Sequence, residues 1–213
     1  VRALGAREGL DIEGTAAVGI APDGDLLAGA FEGGLVKWNL LNGLVGRWTQ
    51  AHGLPGPTPW AISGDVLDPS GVWVGGDAGL AWWKAGELSA VGPRGITHAQ
   101  PVHLLYADPA AAGVVWVKAE SGPLFALGAN DALATTANDG LPPGRIRFLH
   151  RDRQGRLIAG GERGLFERVG AAWRQVRVAS VPLRSLKAIT QHQDGAYWIV
   201  SEADGLIRMQ GSE

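Results

Sequence analysis

Apolar residues in this chain come in short runs, each cut by glycine and an acidic residue before a helical face could build up. From Gly71 to Lys84 the chain reads Gly-Val-Trp-Val-Gly-Gly-Asp-Ala-Gly-Leu-Ala-Trp-Trp-Lys, and a near copy runs from Gly155 to Arg168. A run rich in Val, Ile and Trp, a tight turn, then a second run opening Gly-Leu predicts a β-hairpin. The 3.6-residue apolar spacing of an amphipathic helix is absent, and glycine interrupts every run.

The hairpin recurs. The glycines that open its second run, Gly34, Gly79, Gly122, Gly164 and Gly205, lie 45, 43, 42 and 41 residues apart. The turn glycines before its first run, Gly24, Gly71, Gly113, Gly155 and Gly195, are spaced 47, 42, 42 and 40. Two independent markers therefore give a period of about 40–45 residues, the signature of β-propeller blades. The expectation is an all-β fold: a propeller of about five four-stranded blades, forming a single domain over residues 1–213.

Each blade divides into strands A to D, with A innermost. Strand A is read at Val102 to Tyr106, Ile146 to His150 and Leu186 to Thr190, and the hairpin supplies B and C. Strand D falls at Leu44 to Thr49, Glu87 to Val91, Ala132 to Thr136 and Trp173 to Arg177. Asp-Gly turns such as Asp23-Gly24 and Asp194-Gly195 join A to B, with Asp capping local amides and Gly accepting positive φ. The fifth unit ends after strand C, while Val1 to Leu4 is a spare segment at the other end. Closure of the ring by that N-terminal strand would leave no edge unpaired; the alternative is a slice of a longer propeller.

Composition adds limits. Gly is 33 of 213 residues, about double the usual share and suited to many tight turns, and hydrophobic residues make up 46%. Nineteen basic against 21 acidic residues leave a net charge of −2, so no global field draws the chain to nucleic acid or an anionic membrane. With no cysteine, disulfides and thiolate metal sites are excluded. There is no signal peptide and no apolar run long enough to span a bilayer. The start at Val1 rather than Met is read as that of a mature or excised segment, so that a targeting sequence or membrane anchor could lie outside it.

Gly-Leu-Pro, an apolar strand, Asp-x-x-Gly, an apolar run with Trp, and Gly-x-x-x-Gly-Leu together resemble the two-component regulator propeller repeats. The pattern is carried by Gly140-Leu141-Pro142, Asp152, Gly155, Gly160, Gly164 and Leu165, and by Gly53-Leu54-Pro55, Asp68, Gly71, Trp73, Gly75, Gly79 and Leu80. After the strand B glycine, where that family usually has Thr, this chain has Ala30, Gly76, Ala119, Gly161 and Ser201. Family members also usually carry more than five blades. The resemblance implies the sensor region of a bacterial signalling protein, periplasmic or otherwise extracytoplasmic, that senses a ligand or docks a protein.

Catalytic signatures are missing: no Gly-x-Ser-x-Gly elbow, no His-Glu-x-x-His, no phosphate-binding loop. A propeller glycosidase would need paired carboxylates at the axial ends of inner strands, and Asp11 and Asp65 are the nearest candidates. A non-enzymatic domain without cofactor or metal is therefore expected, with a scaffold that binds no small ligand as the alternative and a glycosidase or lyase behind it. Aligning strand A across the blades gives Ala16, Ala61, His103, Arg147 and Lys187. Three consecutive basic residues at one inner-strand position predict an anion site in a central channel, with Arg145 and Arg184 near its mouth and Trp60 placed to stack on a ligand. The B–C turns are acidic in every unit: Glu32, Asp77, Glu120, Glu162, and Glu202 with Asp204. They are one residue longer in the first and last units, where Phe31, Glu32, Glu202 and Asp204 are the candidate protein-docking residues. The expected partners are a small anion or a protein. Trp73, Trp116 and Trp198 hold equivalent strand B positions and should fill space between blades.

Overall fold

Strands that are neighbours in sequence pair antiparallel, so each repeat becomes one small sheet. The computed structural model describes residues 14–65, 67–90, 99–111, 113–119, 124–127, 133–135, 140–178 and 181–210. Sheet 1 runs in the order β1 (Thr15–Ile20), β2 (Leu26–Ala30), β3 (Gly34–Asn39), β4 (Gly43–Trp48), and sheet 2 follows as β5 (Ala61–Gly64), β6 (Val72–Gly76), β7 (Gly79–Lys84), β8 (Glu87–Ser89). Sheet 3 comprises β9 (Val102–Ala107), β10 (Val115–Ala119), β11 (Leu124–Leu127) and β12 (Leu133–Thr135). Sheet 4 comprises β13 (Ile146–Arg151), β14 (Leu157–Gly161), β15 (Gly164–Val169) and β16 (Ala172–Val176). Sheet 5 comprises, among the described residues, three strands, β17 (Leu186–Gln191), β18 (Tyr197–Ser201) and β19 (Gly205–Met209). The fold is all-β, and a 3-10 turn at Gln50–His52 is the helical element among the described residues. The predicted repeat, its four strands and the three-stranded last unit correspond to these sheets. Val1 to Leu4, Asp11 and Glu120 lie outside the described residues.

The chain divides into two compact units, Val1–Glu120 with Phe125–Ala134, and Ser121–Leu124 with Thr135–Glu213. In the first, Leu27, Leu35, Val72, Val74 and Trp83 form a core between sheets 1 and 2, and Trp73, Trp82, Val102, Val115 and Leu127 one between sheets 2 and 3. In the second, Phe148, Ile158, Leu165, Leu186, Tyr197 and Ile199 fill the space between sheets 4 and 5. Trp73 and Trp116 are buried as expected from their strand B positions, whereas Trp198 is half-buried.

Buried polar groups anchor the A–B turns. The Trp73 indole donates to Asp65 at 3.0 Å and that of Trp116 to Asp108 at 3.2 Å. Asp65, a carboxylate considered for glycoside chemistry, is 4% exposed and also accepts from the backbone of Leu67. It is a structural cap. In the second unit Asp152 links two sheets, accepting from Tyr197 Oη at 2.6 Å and Arg156 Nε at 2.7 Å. Burial and the Asp152 contact push the Tyr197 hydroxyl up to about 12.

Both units keep one apolar face bare. Val18 and Ile20 on β1 are 64% and 63% exposed, while the intervening Gly19 approaches Ile62 of sheet 2. In the second unit Val200 and Leu206, directly paired on β18 and β19, are 43% and 65% exposed, while Ile199 faces the core.

Candidate functional site

Strand A of four sheets carries an irregularity at the same place. In sheet 4, Ile146 pairs with Gly161 and Phe148 with Gly160, which leaves Arg147 without a partner of its own. Lys187 in sheet 5, His103 in sheet 3 and Ala16 in sheet 1 occupy the same skipped position. Such β-bulges set two residues of one strand against one of its neighbour and re-aim the extra side chain.

Sheet 2 corrects the sequence alignment. The backbone N–H of Trp60 donates to Gly75 O at 2.8 Å, and Ala61 pairs with that same Gly75. Trp60, not Ala61, therefore holds the bulge position, and Pro59 stands where the other sheets have Val102, Ile146 and Leu186. A proline has no N–H to give a ladder, so it does not read as a strand start, and the count slips by one. The row becomes Ala16, Trp60, His103, Arg147 and Lys187.

In the first unit the row is aromatic. The half-buried Trp60 ring meets His103 at a centroid distance of 5.4 Å and an angle of 53°, and Phe31 at 5.8 Å and 78°. Phe31, in the longer B–C turn, is 48% exposed. The next residue, Glu32, sits at φ 51° and donates its N–H to Thr58 Oγ1 at 2.8 Å. Asp77 of the adjacent B–C turn accepts the Trp60 indole N–H at 2.6 Å, which fixes the orientation of the ring. Trp60, His103 and Phe31, assigned from sequence to different roles, are thus one contiguous surface.

In the second unit the row is charged. Lys187 Nζ is 2.6 Å from Glu202 Oε2. The hydrogen bond and charge of Lys187, with a further contribution from Arg147, hold the Glu202 carboxyl below its usual range. The N–H of Arg145 donates to Glu162 Oε2 at 3.3 Å, and its carbonyl accepts from Glu162 N. Arg145, Arg147 and Arg184 have exposed side chains, and Arg184 O accepts from Ser201 Oγ at 3.0 Å. Asp204 accepts from the same hydroxyl at 3.1 Å. The turn acids, which turn chemistry alone would leave as a solvated rim, here act as partners of the bulge residues or their neighbours. Acids recurring one hairpin away from the basic position were the available signal. No group of three His, Asp or Glu able to hold a metal occurs among the described residues.

No protein-family model and no curated protein matches the chain. Solved structures do. The extracellular domain of a candidate one-component system from B. thetaiotaomicron superposes with a TM-score of 0.71 at 20% identity over 92% of this chain and 27% of that one. That of a candidate hybrid two-component system from the same organism gives 0.65 at 15% identity, over 98% of this chain and 35% of that one. Virginiamycin B lyase from Staphylococcus aureus gives 0.61 at 11% identity, over 92% and 70%. The likeness establishes the fold, and the chain spans about a quarter to a third of the length of the two sensor domains. No helix among the described residues is long and apolar enough to cross a membrane.

Proposed function

We propose that this chain is a non-enzymatic, extracytoplasmic sensor propeller of a bacterial signalling protein, reading its ligand with the side chains at the strand A bulges. The observation that carries the reading is the repetition of one bulge across four sheets and Trp60, with side chains that differ from sheet to sheet: Trp60, His103, Arg147 and Lys187. A repeat made only for packing has no need of that variation. The ligand class is a small anion, because in the second unit Arg147 and Arg145 present exposed side chains beside the neutralised Lys187–Glu202 pair. In the first unit the Trp60–His103 surface offers stacking of its own. Likeness to the extracellular sensor domains supports the role, and a lyase at lower similarity is the competing enzymatic precedent.

The bare apolar faces at Val18 and Ile20 and at Val200 and Leu206 support closure at five blades, in which Val1 to Leu4 would complete the last sheet. A docking role is the second reading, favoured by the exposed Phe31 set edge-on against Trp60.

The test is a thermal-shift screen of sugar acids, carboxylates and phosphates on the wild type, Trp60→Ala and Arg147→Glu. A true ligand at a hundred times its Kd stabilises by about 2.7 kcal/mol. Loss of that shift in Arg147→Glu is expected, and Trp60→Ala reads the stacking surface of the first unit separately. No stabilising anion, or an undiminished response in Arg147→Glu, would sink the anion site and leave docking.

A further inference from the structure

A second set of local irregularities meets in the first unit, at the opposite end of the sheets from the B–C turns. A cavity of about 410 Å³ opens there between sheets 1 and 2, walled by Val45, Trp48 and Trp83 with Asp23, Lys37 and Ala85 at its margins. The volume lies in the range of small-molecule pockets. Trp48 and Trp83 pack edge to face at 5.4 Å, and Trp48 Nε1 donates to Gly86 O at 2.5 Å, which locks the ring against the β7–β8 turn.

Three uncommon features coincide at this cavity. Lys37 is a buried ammonium on β3, held by Asp23 and, at 3.0 Å, by Asp25, and lying 5.8 Å over the Trp83 ring. Trp83 is 2% exposed, and its indole nitrogen is buried without a hydrogen-bond partner, although buried donors are nearly always satisfied. Ala85 adopts φ 49° in a two-residue turn with Gly86 at φ 92°, where Asn or Gly costs nothing and alanine is strained. Departures of this kind gather where function outweighs stability.

The charge balance identifies the ligand class. Two carboxylates against one ammonium leave one negative charge. It is borne outward, because the Asp23 side chain is 57% exposed while those of Asp25 and Lys37 are 14% and 10% exposed. An outward carboxylate above two indole walls is the arrangement that favours a cation with an apolar body. We infer that this cavity is a second ligand site, for a small organic cation such as an ammonium or guanidinium group on a hydrocarbon or aromatic body. It is separate from the bulge row and of opposite charge preference, so it stands whether or not the anion reading holds.

The experiment is calorimetric titration of the protein with phenethylammonium, alongside its neutral isostere phenylethanol and the anion phenylacetate. Only the cation is expected to bind, more weakly as salt rises. Asp23→Asn should weaken binding at least tenfold. Because that change also disturbs the Lys37 pair, Val45→Arg provides the independent arm. Val45 is 52% exposed, so the variant should keep the wild-type melting temperature while its tethered guanidinium blocks the cavity and abolishes binding. No binding of the cation, equal binding of the neutral isostere, or wild-type affinity in Val45→Arg would each overturn the site.

Discussion

At the residue scale, Asp194 shows how a turn position becomes an electrostatic one. Its carboxylate accepts from the backbone N–H of Ala196 at 2.9 Å and from Arg208 at 2.8 Å, with His192 alongside at 3.0 Å. Those contacts, the backbone one first, bring its pKa from 3.8 down to about 2. The folded value lies below the unfolded one. The contribution is therefore complete above the unfolded pKa and is lost as pH falls through about 2. Melting temperatures of Asp194→Asn and wild type, followed from neutral pH downward, should converge in strong acid, with the variant less stable only at the higher pH. The Asp-Gly turn was readable from sequence, because Asp and Gly at that spacing have few other uses. Its Arg208 partner was not, since it sits on β19, brought alongside only by the β18–β19 pairing.

At the element scale, glycine serves two purposes that sequence does not separate. Gly155 and Gly195 turn the chain at φ 80° and 87°, in open space. Gly161 ends β14 for another reason. A Cβ there would overlap the carbonyl oxygen of Arg145, just as one at Gly76 would overlap that of Pro55. In sheet 5 the equivalent residue is Ser201, whose hydroxyl donates to Arg184 O at 3.0 Å. The positions where the resembled repeats usually carry Thr are thus where the incoming link touches strand B, met by glycine in sheets 2 and 4 and by a serine hydroxyl in sheet 5. Gly161→Ala should cost about 1–3 kcal/mol through the displaced link, measured by urea denaturation. An unchanged midpoint would mean that the link yields freely. The same link geometry explains the slip at Trp60: Pro55, Pro57 and Pro59 precede it, and only the Gly75 carbonyl, accepting from Trp60 while Ala61 pairs with the same residue, reveals the bulge.

At the scale of the whole molecule, the terminal sheets carry the open question. Val18 with Ile20, and Val200 with Leu206, are apolar residues with too little cover, and covering them is worth about 25 cal/mol for each Å² removed from water. Under the proposed closure, deleting Val1 to Leu4 would remove the fourth strand of sheet 5 and should lower the urea midpoint sharply. A midpoint equal to that of the full chain would remove the swapped strand from the proposal.

The sequence by itself determined the class, the repeat and the turns, because each depends on local φ/ψ preference and on alternation repeated at a fixed period. Tertiary structure decided which side chains meet. The bulge register joined Trp60 to His103 and Phe31, the β17–β18 hairpin set Glu202 on Lys187, and the packing of sheet 1 on sheet 2 enclosed the Trp48–Trp83 cavity. Those contacts link residues between 15 and 43 positions apart, and a one-residue shift in register exchanges one face of a strand for the other.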